Sequence, residues 1–144
     1  MLKAVLDTNV LVSAFLSDAG VPNQVLRQAG QAYQLFISNE ILEEVKRVLR
    51  RPRIQERAQL TEDKIRAFLA AIQRVADVVE NPPSLWIIED DPDDNFTLGC
   101  ALGAHADYLV SGDIHLKRLE SYKGIQIVSP SEFLTILRED HEKT

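Results

Sequence analysis

The run Glu89-Asp90-Asp91-Pro92-Asp93-Asp94 places five acids in six residues, broken only by the proline. Asp7 closes a short apolar run at the start of the chain, and Asp113 follows Ser111-Gly112 after another. Glu43 and Glu44 sit in a segment with helical apolar spacing. Carboxylates gathered from such distant points raise one another's pKa and oppose folding unless a cation offsets them. A hard divalent ion, Mg²⁺ or Mn²⁺, takes oxygen ligands of this kind. Held there, it lowers the pKa of a bound water and clamps a phosphate oxygen, so phosphodiester hydrolysis is the reaction class that fits. Each acid also has an ordinary structural account. Asp7 can begin an Asx-turn at a strand end, and Asp94 can cap a helix. Asp113 is a common turn residue after glycine, Glu44 can be one more solvated helical acid, and the acidic run can be a solvated loop.

Convergence depends on the elements that carry these residues. The apolar patterning predicts strands over 3–7, 33–38, 76–80, 106–111 and 124–129. Helices are expected over 9–16, 22–30, 40–50, 62–76 and 93–105, with a last one opened by Pro130 and a short turn or helix at 115–119. Ser38 or Asn39 is placed to cap the third helix and Thr61 the fourth. Ile41, Leu42, Val45, Val48 and Leu49 form the inward stripe of the third, and Pro52 ends or kinks it. Strands alternating with helices predict an α/β fold, a central, mostly parallel sheet covered on both faces. Residues 1–137 read as one domain and 138–144 as a charged tail that frays. In open α/β sheets ligands bind beyond the carboxyl ends of the strands. Asp7 and Asp113 fall there, Asp94 opens the helix before the strand at 106–111, and Glu43 or Glu44 follows the strand at 33–38.

Composition narrows the class. A chain of 144 residues, 45% hydrophobic, carries a sizeable core. No apolar run approaches the roughly 18–20 residues of a membrane span, and the first ten residues do not read as a secretory signal. The single cysteine, Cys100, excludes an intrachain disulfide and a cysteine-rich zinc site. A cytoplasmic protein is the expectation. The net charge of −6 argues against coating nucleic acid through bulk charge. Residues 46–57 nevertheless hold six basic residues and one acid. Lys46, Arg47, Arg50, Arg51 and Arg53 are therefore candidates to hold an anionic backbone, and an exposed helix face is their plainer reading.

Four segments together resemble the PIN-domain family, in its VapC-like branch: VLDTNVLVSA at 5–14, ISNEILEEVKRVL at 37–49, DDNFTLGCALGAHADYLVSGD with its acid at Asp94, and GIQIVSPSEFL at 124–134. The resemblance implies a three-layer α/β/α sandwich and a ribonuclease dependent on Mg²⁺ or Mn²⁺. It further implies the toxin of a toxin–antitoxin pair, with an RNA substrate, a cognate antitoxin and a homo-oligomeric state. By position, the family's acids fall on Asp7, Glu44, Asp94 and Asp113, with Glu43 the weaker choice for the second. Asn9 and Ser111 match supporting polar positions, and Asp93 is expected to cap its helix or act through water. Glu89, Asp90 and Asp91 are assigned to a solvated negative rim. Val10, Leu11, Phe15 and Leu26 are candidates for a groove that takes an amphipathic partner helix. A phosphatase of the haloacid dehalogenase type needs a second acid two positions after the first, where this chain has Asn9. A response-regulator receiver needs paired acids that the start of the chain lacks. The remaining rival is a PIN scaffold that binds RNA or protein without cutting.

Overall fold

Three consecutive residues of the first strand, Ala4, Val5 and Leu6, are all buried. Neighbours on a strand point to opposite faces, so burial of all three means that both faces of the sheet are covered. The computed structural model, which describes residues 1–89 and 91–143, bears this out as a three-layer α/β/α arrangement. The strands are β1 (Leu2–Leu6), β2 (Tyr33–Ile37), β3 (Ala76–Val78), β4 (Tyr108–Val110), β5 (Ser121–Tyr122) and β6 (Ile125–Val128). They lie in the order β3-β2-β1-β4-β6-β5, and every neighbouring pair is parallel except β5 with β6.

The helices are α1 (Thr8–Leu16), α2 (Val21–Arg27), α3 (Asn39–Leu49), α4 (Pro52–Ala58), α5 (Glu62–Val75), α6 (Pro92–Gly103), α7 (Ile114–Lys117) and α8 (Pro130–Lys143). Ser38 caps α3 and Thr61 caps α5, each accepting a bond from a backbone N–H three residues on. The five apolar residues expected on α3 are all buried. Tyr33 is buried too; its hydroxyl donates to the Val25 carbonyl at 2.9 Å and its ring meets Phe133 edge-on.

Four local expectations change. Pro52 does more than end α3: it opens α4, in the first turn where a missing N–H costs nothing. A two-residue strand, β5, joins β6 through Lys123-Gly124, both with positive φ, which gives a tight hairpin. Helix α8 continues through the charged residues to Lys143. Val10 and Leu11 are core residues, 3% and 0% exposed, and present no groove to a partner; Phe15 is half-buried against Phe68.

The strand order fixes where a site can form. The chain steps outward from β1 to β2 and β3, then returns to β4 on the other side of β1. The reversal between β1 and β4 is the switch point at which such sheets open a crevice. Leu6 stands opposite Val110, so the next residues, Asp7 and Ser111, emerge side by side at that crevice. The Asp7 N–H donates to the Val110 carbonyl at 3.0 Å.

Candidate metal centre

Three of the acids start helices. Asp7 caps α1, Asp91 caps α6 and Asp113 caps α7. Each spends one oxygen on a backbone N–H. Asp7 Oδ1 accepts from Val10 at 2.9 Å, Asp91 Oδ1 from Asp93 at 3.0 Å, and Asp113 Oδ1 from His115 at 2.7 Å. These bonds orient the carboxylates and supply partial positive charge that offsets some of their repulsion. Ser111 links two of them: its buried hydroxyl donates to Asp7 Oδ2 and accepts the Asp113 N–H at 2.9 Å.

Asp94 differs from these three. It sits in the first turn of α6, 7% exposed, and its Oδ2 is buried with no hydrogen-bond partner among the described residues. An unserved buried carboxylate oxygen is costly. Burial pushes its carboxyl up to about 8, and the charges of Asp113, Asp91 and Asp7 add to the effect. One potential ligand atom from each of Asp91, Asp94 and Asp113 falls within 4.8 Å of the others. Asp7 and Glu44 line the same small cavity, of about 30 Å³, with Asn9 and Asp93 at its wall. That is room for a single water or small ion. Burial raises Asp7 as well, against the pull of Ser111 and Val10. Glu44 is raised by its partial burial and by Asp93, while the Thr8 hydroxyl and Arg47 act in the opposite sense. An all-oxygen set that includes an unpartnered buried carboxylate oxygen fits a hard divalent cation.

All four sequence-designated acids thus reach one pocket, and Glu43 turns away to pair with Lys46 at 3.3 Å. The correction concerns Asp91. It is half-buried and grouped with Asp94 and Asp113, so it belongs to the pocket and not to a solvated rim. It also takes the capping role expected of Asp93, which is exposed at the pocket wall. Asp90 lies outside the described residues, and Glu89 is exposed.

The placement of Asp91 follows from the segment before it. Asn95 accepts from the Ile87 and Ile88 N–H groups at 3.0 and 2.9 Å and donates to the Ile88 carbonyl at 2.7 Å. Farther along α6, a Cβ on Gly99 would come 2.4 Å from the Pro83 carbonyl oxygen, and one on Gly103 would come 2.9 Å from Val79. Val79, Pro83, Ile87 and Ile88 therefore lie directly on α6, whose first turn Asp91 caps. The available signal was two glycines four apart in a helix, each costing roughly 1 kcal/mol against alanine and calling for a packing reason.

The basic segment divides. Arg47 stands beside Glu44 at the mouth of a neighbouring cavity. Lys46 is held by Glu43, and Arg50 pairs with Glu62. Arg51 and Arg53 are exposed around the start of α4, Arg53 by a surface hollow with Arg57.

Comparison with known proteins agrees with this geometry. No curated protein matches the sequence. Among solved structures, the chain is similar to one from VapBC2 of Rickettsia felis, determined bound to a DNA fragment from their promoter. The TM-score is 0.59 at 18% identity, covering 88% of this chain and 97% of that one. Identity at that level speaks for the fold. Residues 3–115 match the sequence profile of the PIN domain. With most of its length inside that match, and with Asp7, Asp94 and Asp113 set around the β1–β4 crevice, this chain belongs to the PIN-domain family.

Proposed function

We propose that this protein is a metal-dependent ribonuclease that hydrolyses RNA phosphodiester bonds at the carboxylate pocket. The buried, unserved oxygen of Asp94, packed against Asp91 and Asp113, carries the reading. Asp91, Asp94 and Asp113 would hold Mg²⁺ or Mn²⁺, with Asp7 and Glu44 completing the shell directly or through water. A cation there supplies Lewis acidity toward a phosphate oxygen and makes a bound water more acidic. The chain's own contribution is placement. Ser111 and the three helix starts fix the acids before substrate arrives, so little reorganisation is left for the reaction. Asn9 and Asp93 are positioned to hold water at the pocket wall, and Arg47 to meet the RNA backbone beside Glu44.

The same reading makes the protein the toxin of a toxin–antitoxin pair, cytoplasmic, silenced by a cognate antitoxin and assembled as a dimer or higher oligomer. The similarity in fold to a chain of VapBC2 supports it. No helix among the described residues is long and apolar enough to cross a membrane. The test is cleavage of single-stranded RNA by purified protein with Mg²⁺, Mn²⁺ or EDTA, beside Asp113→Asn prepared identically. Cleavage that needs metal and disappears in the variant is expected. Binding of RNA by the metal-loaded protein without any cleavage would make it a scaffold instead.

A further inference from the structure

On α3, Glu40, Glu44 and Arg47 fall at i, i+4 and i+7 and share one face; on α6, Asp93 and Phe96 fall at i and i+3. The two faces enclose a cavity of about 300 Å³, with Asn39 at its α3 end. Glu44 and Asp93 also line the carboxylate pocket, so the two hollows adjoin. Phe96 is 50% exposed, although the rest of α6 from Asp94 to Ala101 is buried. A large aromatic ring left half in water, in a hollow beside a phosphodiester site, has a surface that a flat apolar ring can cover.

We propose that this cavity is a nucleobase subsite, in which Phe96 stacks an unpaired base and Glu40 reads its Watson–Crick edge. The proposal rests on the ribonuclease reading and specifies the substrate of that site. The acids around Phe96 repel phosphate, so the sugar–phosphate chain passes along Arg47 and the base alone turns inward. Carboxylate walls accept hydrogen bonds and give none. They favour base edges with donors, such as the amino groups of guanine, adenine and cytosine, and disfavour uracil, whose single N–H lies between two carbonyls. Guanine presents two parallel N–H donors, the pattern one carboxylate accepts in a fork. Glu43 lines the cavity as well but pairs with Lys46, and Glu44 is shared with the carboxylate pocket, which makes Glu40, exposed on the same face, the reader.

The experiment uses the full chain and oligouridine strands carrying one central guanine, adenine, cytosine or uracil. With Mn²⁺, the guanine strand should be cleaved at one bond at a fixed offset from the guanine, with kcat/KM at least tenfold above the all-uracil strand. Phe96→Ala should raise KM by roughly fivefold or more, the low end of base–aromatic stacking, and Phe96→Tyr should restore it. Glu40→Gln should erase the guanine preference while cleavage of the all-uracil strand persists. A second readout needs no turnover: in EDTA, a strand with central 2-aminopurine should be quenched on binding to the wild type and to Phe96→Tyr, but not to Phe96→Ala. Mn²⁺ affinity and melting temperature should be the same in all three. Metal-dependent cleavage without base preference, or quenching unchanged in Phe96→Ala, overturns the subsite and leaves the ribonuclease standing. Metal-loaded protein that neither cuts nor binds any strand overturns both.

Discussion

Replacing Asp94 by Asn should stabilise the metal-free protein, and the gain should grow with pH. The folded protein holds this carboxyl up at about 8, against an ordinary value of 3.8. Below pH 3.8 the group is neutral in both folded and unfolded chains. Between 3.8 and 8 the unfolded chain releases the proton while the folded chain keeps it. Unfolding then gains free energy with every step in pH, and stability present at low pH is lost as pH rises to about 8. About four units at roughly 1.4 kcal/mol each set a ceiling near 6 kcal/mol. The group is only partly shielded from solvent, which discounts both the burial and the charge contributions and leaves about 2 kcal/mol. The amide of the variant has no acidic proton to lose. In EDTA, wild type and Asp94→Asn should melt at similar temperatures at pH 4, and the variant should lead by about 4–8 °C at pH 8–9. Added Mn²⁺ should close the gap by raising the wild type alone, since a ligand that binds only the folded state stabilises it. A gap that stays constant from pH 4 to 9 would show that Asp94 is not held protonated by its burial and its acidic neighbours, and the case for a cation would lose its main support.

Asp91→Asn should abolish cleavage as Asp113→Asn does, because both acids face Asp94; a loss of only a few-fold in a cleavage assay would return Asp91 to the rim. Gly99→Ala should lower stability by about 1–3 kcal/mol in urea titration, since the new methyl meets the Pro83 carbonyl; an ordinary helical glycine would give the opposite sign. Arg47→Ala should flatten the salt dependence of RNA binding by roughly 0.7 in log–log slope, and Arg50→Ala by less, because Arg50 is already paired with Glu62; equal slopes for the two variants would mean that proximity to Glu44 does not select the phosphate contact.

The sequence disclosed the elements whose signals are local. Ser38 and Thr61 cap as expected, the stripe of α3 is buried residue for residue, and Asp7 follows directly from β1. What it concealed depends on contacts between distant segments. Five acids crowded about one proline look alike until Asn95, Gly99 and Gly103 seat Val79, Pro83, Ile87 and Ile88 on α6, with Asp91 as its cap. The apolar face of α1 gives no sign whether Val10 and Leu11 meet the protein's own core or a partner, because both burials use the same side chains. Strand β5 is too short for periodicity to register. Helix α8 outruns its apolar pattern because charged residues continue a helix as readily as they form a tail.

The carboxylates that begin α1, α6 and α7 each give one oxygen to a backbone N–H, which leaves the second for the pocket at Asp91 and Asp113, while at Asp7 the second also accepts the Ser111 hydroxyl. An amide in the same place can keep the first task and must abandon the second, since its oxygen still accepts the N–H while its nitrogen offers a cation only hydrogens. The fold therefore contains its own off position. Exchanging Asp for Asn at residues 91 or 113 retires the chemistry and retains the helix start, whereas Ala removes both; at residue 7 the same exchange also gives up the bond that the Ser111 hydroxyl donates. A lineage that kept this scaffold for binding alone would have a short mutational path to it, and a laboratory that needs an inert twin of the protein has the same one.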